Sequence, residues 1–140
     1  MIRRSRLVVL LAVLAAAVAF AAQAQMSQPP EVIVSLHRAA PGKQLDMLKW
    51  LAENDAIARE AGVAASQVYA HTNGDSWDYM VISAIPTAEQ EAKIEEINKK
   101  RGRKTGFAAS LEFRAVVASH TDTHAVGPMS AADLVVAAGK

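Results

Sequence analysis

Hydrophobic positions along this chain fall into one unbroken block near the start and a series of shorter, patterned runs after it. Residues 7–22 are apolar throughout, behind an opening that carries Arg3, Arg4 and Arg6, and Ala22-Gln23-Ala24 supplies the small-x-small pattern of a processing site. The arrangement predicts a secretory signal peptide over residues 1–24; the alternative, an uncleaved anchor, needs about 20 apolar residues. Gln25 to Pro30 is polar and ends in two prolines, a flexible leader. Residues 31–140 then make a single domain.

Within that domain the periodicity changes element by element. Val32-Ile33-Val34-Ser35-Leu36-His37 is apolar and β-branched on both alternating faces, as in a central strand covered on two sides. From Lys43 to Ala61 a helical spacing places Met47, Leu48, Leu51 and Ala52 on one side, and Gly62 stops it. Ser66–His71 and Trp77–Ile85 flank the turn-rich Thr72–Ser76 and read as a hairpin. Thr87 and Gln90 form a capping box for a second helix, Ala88–Arg101, laced by Glu/Lys pairs. Leu111–Ser119 is expected as a fourth strand that can run on through His-Thr-Asp-Thr-His. Ser130 caps a short helix, Ala131–Ala138, expected to dock on the body.

The order β-α-β-β-α-β is that of an α+β, ferredoxin-like split βαβ plait with a short C-terminal helix. Right-handed crossovers give the strand order 4-1-3-2 with both helices on one face. Strands one and four offer apolar side chains to both faces, so the helix-free face needs a second layer. A homodimer supplies it most economically.

Charge is read after the leader is removed. The whole chain has 15 Lys+Arg against 14 Asp+Glu, and processing after Ala24 takes away three arginines and no acid, leaving 12 against 14 and a net charge of −2. No global attraction to nucleic acid remains. The run Lys99-Lys100-Arg101-Gly102-Arg103-Lys104 sits where cations offset a helix C-terminus. There are no cysteines, so disulfides, thiolate metal sites and thiol catalysis are excluded. The mature product is expected to be periplasmic or secreted, with no membrane attachment once the signal peptide is gone.

The element order and spacing, with Gly74-Asp75-Ser76-Trp77-Asp78-Tyr79-Met80-Val81 leading into the third strand, resemble the dimeric α/β-barrel superfamily, which includes antibiotic-biosynthesis monooxygenase and NIPSNAP-like proteins. The resemblance covers roughly Glu31–His120. It implies two sheets facing each other across a dimer, with a ligand cavity inside. Members of that superfamily include cofactor-independent oxygenases, haem-degrading enzymes, isomerases and proteins without a known reaction, so the fold alone assigns no chemistry.

Candidate chemistry gathers on the strands. His120, Asp122 and His124 alternate onto one face of a regular strand, where two imidazoles and a carboxylate could converge on a divalent ion, serve proton transfer, or simply form a polar strand end. No bound metal or cofactor is expected. His37 ends strand one, beside strand four, and is a further proton-transfer candidate or a hydrogen-bonded wall residue. Trp77 and Tyr79 share a face of strand three as a ligand-stacking wall or as core, with His71 across the hairpin as a third ligand-binding candidate; Trp50 reads as packing. Asp78 could orient a histidine.

Three functions are compatible with these residues. The first is an exported dimer that binds a small organic molecule in its barrel cavity. The second is an enzyme of the same fold, a cofactor-independent oxygenase or isomerase that pairs a histidine with Asp122 or Asp78. The third is a non-catalytic interaction module with a filled interior. An open cavity with convergent polar groups separates the first two from the third.

Overall fold

β-branched residues gather at the strands of this chain, and the computed structural model, which describes residues 29–139 apart from Asp75, pairs them into one sheet. The expected signal peptide and most of the leader lie outside the described residues. β1 (Glu31–Ala39) is central, flanked on one side by β3 (Tyr79–Ala84) and on the other by β4 (Val117–Val126), with β2 (Gln67–Ala70) beyond β3. Every pairing is antiparallel and the order is β2-β3-β1-β4, the ferredoxin-like plait.

The helices stop and start where local chemistry dictates. α1 (Gln44–Glu60) ends as Gly62 takes φ +90° and donates to the Arg59 carbonyl, while Val63 donates to that of Ala58. These two bonds close the helix end, and only glycine adopts that conformation without strain. α2 (Ala88–Lys100) opens on a reciprocal box in which Thr87 N–H donates to Gln90 Oε1 at 2.9 Å and Gln90 N–H to Thr87 Oγ1 at 3.3 Å. The Gln90 amide also donates to the Gly62 carbonyl at 2.7 Å, tying the start of α2 to the end of α1. Arg101 pairs with Glu60 across the same two helices.

The fourth strand differs from its expected position. Gly106–Arg114, whose Leu111 was expected to open that strand, is a helix, α3, and β4 begins only at Val117. The reason lies in composition: Gly106-Phe107-Ala108-Ala109-Ser110-Leu111-Glu112-Phe113-Arg114 contains no β-branched residue, and the first are Val116 and Val117. The terminal helix, α4 (Ala131–Ala138), has the expected Ser130 cap, with Asp133 N–H donating to Ser130 Oγ at 3.1 Å. It is not docked on the body, however, since Leu134, Val135 and Val136 are 54–71% exposed.

Direct cross-strand partners share a face. Ile33, Ser35 and His37 of β1 stand opposite Ser83, Val81 and Tyr79 of β3 and opposite His124, Asp122 and His120 of β4, so these side chains form one face. α1, α2 and α3 lie on this side: Met47 packs with Tyr79, Ala39 and Val117, while Ile94 and Phe113 look onto the same cavity as Val81 and His37. The other face carries Val32, Val34, Leu36, Met80 and Ile82, all half-buried, with Tyr69 beside them. None of these three helices covers it.

The core sits where α1 crosses the sheet, and Met47 is wholly buried there. Replacing it leaves a cavity that a small domain cannot refill: Met47→Ala should cost about 2–5 kcal/mol in urea denaturation. Leu45→Ala, at a position 63% exposed, serves as the control, and its change should stay within about 0.5 kcal/mol. Equal effects at the two positions would contradict this placement of the core.

Candidate functional site

The site begins with a pairing in the β1–β4 ladder. His37 stands opposite His120 and Ser35 opposite Asp122, which places all four on the helix-side face. The two imidazoles stack with ring centroids 6.1 Å apart and planes 16° from parallel. Phe113, brought in by α3, meets both edge-on, at 6.0 Å from His37 and 4.9 Å from His120. Trp50 of α1 closes the aromatic group, 4.6 Å from Phe113.

These residues form one end of a cavity of about 330 Å³ between the sheet and the helices. Its floor is Ser35, Val81 and Val68, and its far end holds Asp55, Ser66 and Ser83. Asp55 accepts from the Ser66 N–H at 2.8 Å and pairs with Arg59 at 3.0 Å, and the Ser66 and Ser83 hydroxyls lie 3.1 Å apart. A mostly apolar chamber with polar groups at its two ends suits a small organic molecule that needs orienting.

His37 is the least ordinary group in it. The residue is only 6% exposed, and its Nδ1 is fully buried with no hydrogen-bond partner among the described residues. Burial pushes the imidazole below its usual pKa; the Asp122 carboxylate pulls the other way, and His120 adds to the lowering. His37 is therefore held neutral at pH 7, in a form able to exchange a proton with a bound molecule. His120 Nε2 lies 3.6 Å from Asp122 Oδ2, an ion pair only when the ring is protonated.

The expected site residues divide between the cavity, the core and a separate cleft beside the hairpin turn. His37, His120 and Asp122 come together in the cavity. His124 shares their face but lies opposite Ile33 and does not line that cavity. Among the described residues no three His, Asp or Glu side chains converge as a metal site. Tyr79 is 9% exposed and packed in the core with Met47. Trp77 and His71 meet at 5.2 Å beside the hairpin turn, on a separate cleft with Arg38 and Gln44. Asp78 lines that cleft and its carboxylate accepts from the Ala39 N–H at 2.7 Å, where the β1–β4 register shifts. Its partner is thus a backbone amide at a strand irregularity.

Two contributors carried weaker sequence signals. Phe113 lay inside the expected strand, and its role depends on α3 delivering it to the histidines. Asn54 stands one helical turn after Trp50, on the apolar side of α1, and donates to the Trp50 carbonyl at 2.6 Å. A polar residue inside an apolar helical stripe was the signal available for it. The basic run is largely paired off: Lys99 with Glu95 and Lys100 with Glu96, at 2.8 and 2.7 Å, and Lys104 with Glu112 at 2.9 Å.

No family model and no curated protein matches the sequence. Solved structures that resemble the chain include a dimeric ferredoxin-like protein of unknown function from Thermobifida fusca, at 10% identity over 72% of this chain and 93% of that one, with a TM-score of 0.46. A protein from Arabidopsis thaliana is similar at 11% identity over 72% and 97%, with a TM-score of 0.48. A dimeric ferredoxin-like protein from an uncultured marine organism is similar at 14% identity over 74% and 91%, with a TM-score of 0.47.

Because His37 binds its proton less readily folded than unfolded, the unfolded chain takes up more protons as pH falls through about 6.5. Its contribution to stability is therefore complete above that value and is lost progressively as pH drops toward the lowered folded pKa. Urea midpoints between pH 7.5 and 5 should show this loss, and His37→Gln should remove that part of the slope. An unchanged slope in the variant would contradict a neutral buried imidazole.

Proposed function

We propose that this chain is exported, pairs with a second copy through the open sheet face, and holds a small organic molecule between its sheet and helices, with His37 at the base of the site. The observation that carries this reading is a cavity of about 330 Å³ walled by a buried imidazole whose Nδ1 has no hydrogen-bond partner among the described residues. Holding a polar ring so far from water is costly, and an apolar space edged by this ring and other convergent polar groups is the form that a small-molecule site takes. The pairing is supported by Val32, Val34, Leu36, Met80 and Ile82 on a face that α1–α3 leave open, and by Tyr69 at 47% exposure beside them. Export is supported by the Arg-led apolar start and the Ala-Gln-Ala pattern.

An enzymatic form of the same reading is favoured by one further observation, the His37–His120 stack beside Asp122. A neutral His37 accepts a proton from an acidic C–H or O–H of the bound molecule. His120, with Asp122 near its Nε2, stands where it can return the proton at another position. An isomerisation needs nothing more, since the proton leaves and comes back; an oxygenation draws on dioxygen as co-substrate. Trp50 and Phe113 keep the reacting region apolar, which strengthens these electrostatic effects.

Native mass spectrometry of the full-length gene product, purified from its own cells, tests the proposal in one measurement. The expected species is a dimer of chains beginning near Gln25 with a retained small molecule. Monomers that carry nothing and keep residues 1–24 would overturn it. Retention should fall in His120→Ala and stay near wild type in His124→Ala, because of these two residues His120 alone lines the cavity.

A further inference from the structure

A second cavity of about 470 Å³ lies between α1, α2 and the start of α3 and shares Trp50, Asn54 and Ile94 with the lining of the inner one. The outer chamber is lined on one side by Arg103. This residue follows Gly102, whose φ of +66° closes α2, and its own N–H donates to the Asn98 carbonyl at 2.9 Å. The side chain then folds back into the gap between the helices and is only 16% exposed.

Its partners there are weak for a cation so far withdrawn from water. Nη1 donates to the amide oxygens of Asn54 and Asn98, both at 3.3 Å, and the Glu53 carboxylate lies 3.6 Å from Nε, beyond hydrogen-bond distance. Nη2 makes no hydrogen bond with the described residues. The neighbouring cations are different: Lys99, Lys100 and Lys104 each hold a glutamate within 2.9 Å. A guanidinium shielded from water and met mainly by neutral oxygens is an incomplete ion pair, and its planar fork matches a carboxylate.

We propose that Arg103 is the recognition group for a carboxylate carried by the ligand whose apolar part occupies the inner cavity. The inference rests on the reading of that cavity as a ligand site and names the chemical class of its occupant: an apolar, ring-sized acid. The outer wall favours a single negative charge. Glu95 and Glu112 are already neutralised by Lys99 and Lys104, but Glu91 also lines the chamber and Glu53 stands behind the guanidinium, so a dianion such as a phosphate monoester meets repulsion that a carboxylate largely escapes. Asn54 links the two halves of the site: its oxygen accepts from Arg103, and its amide holds the helix turn that carries Trp50.

The test compares 2-naphthoate with its neutral counterpart 2-naphthamide by titration calorimetry on the full chain at pH 7. The naphthoate should bind at least about tenfold more tightly, the ratio that one charge-assisted pair supplies. Arg103→Gln should erase the preference by weakening the acid while leaving the amide within about twofold, and Arg103→Lys should keep part of it, since charge survives without the fork. The ratio of two affinities measured on one variant does not depend on that variant's stability, so a weakened fold cannot imitate this result. Equal affinity of the wild-type chain for both probes, or a preference that survives in Arg103→Gln, overturns the assignment of Arg103 alone. Binding of neither probe to the wild-type chain overturns the reading of the cavity, and this inference with it.

Discussion

A slip of one residue in the β1–β4 ladder would turn every side chain of one strand to the opposite face. The observed register puts His37 against His120 and Ser35 against Asp122, and it is anchored at both ends. At one end Gly127 N–H donates to the Pro30 carbonyl at 3.1 Å, and at the other Ala40 N–H donates to Val116 at 2.9 Å. The irregularity at Arg38/Ala39 is held by the Asp78 carboxylate on the Ala39 amide. Asp78 therefore acts on the site from a distance, by fixing the strand end from which His37 projects.

That register commits the helix-side face to an unusual mixture. A sheet surface packed under helices is ordinarily apolar, yet here three imidazoles, the Asp122 carboxylate, Ser35 and Ser83 share it with Val81 and Val68. The domain stabilises this arrangement by gathering its dense packing at one place, around Met47, Tyr79, Ala39 and Val117, and leaving the adjoining space open. The opposite face is the more apolar of the two. The sheet thus has a mixed side that borders the cavity and an apolar open side, and this division underlies both the ligand reading and the proposed pairing with a second copy.

Much of this was legible in the sequence, for identifiable reasons. Both long helices carry terminal signals that act locally, the Thr87/Gln90 box and Gly62, and local signals survive without knowledge of tertiary contacts. The strand order followed from element order and crossover handedness. The misplacement of the fourth strand had a cost that reached the site. Antiparallel pairing sets the end of β1 against the start of β4, so with a start at Leu111 the two histidines did not clearly meet, and with the true start at Val117 they do. Phe113 was hidden by the same displacement. Arg103 was hidden differently: in the sequence it is one cation of a run, and only the fold separates it from its paired neighbours by turning it inward after Gly102.

The central claim is that a neutral, buried imidazole forms the base of an apolar cavity. Long-range proton–nitrogen NMR of the histidine rings, recorded from pH 8 to pH 5, reads the charge of His37 directly from its two nitrogen shifts. His37 is expected to titrate below the ordinary imidazole value of about 6.5 and to be still neutral there. A His37 ring that is protonated at or above that pH would contradict it.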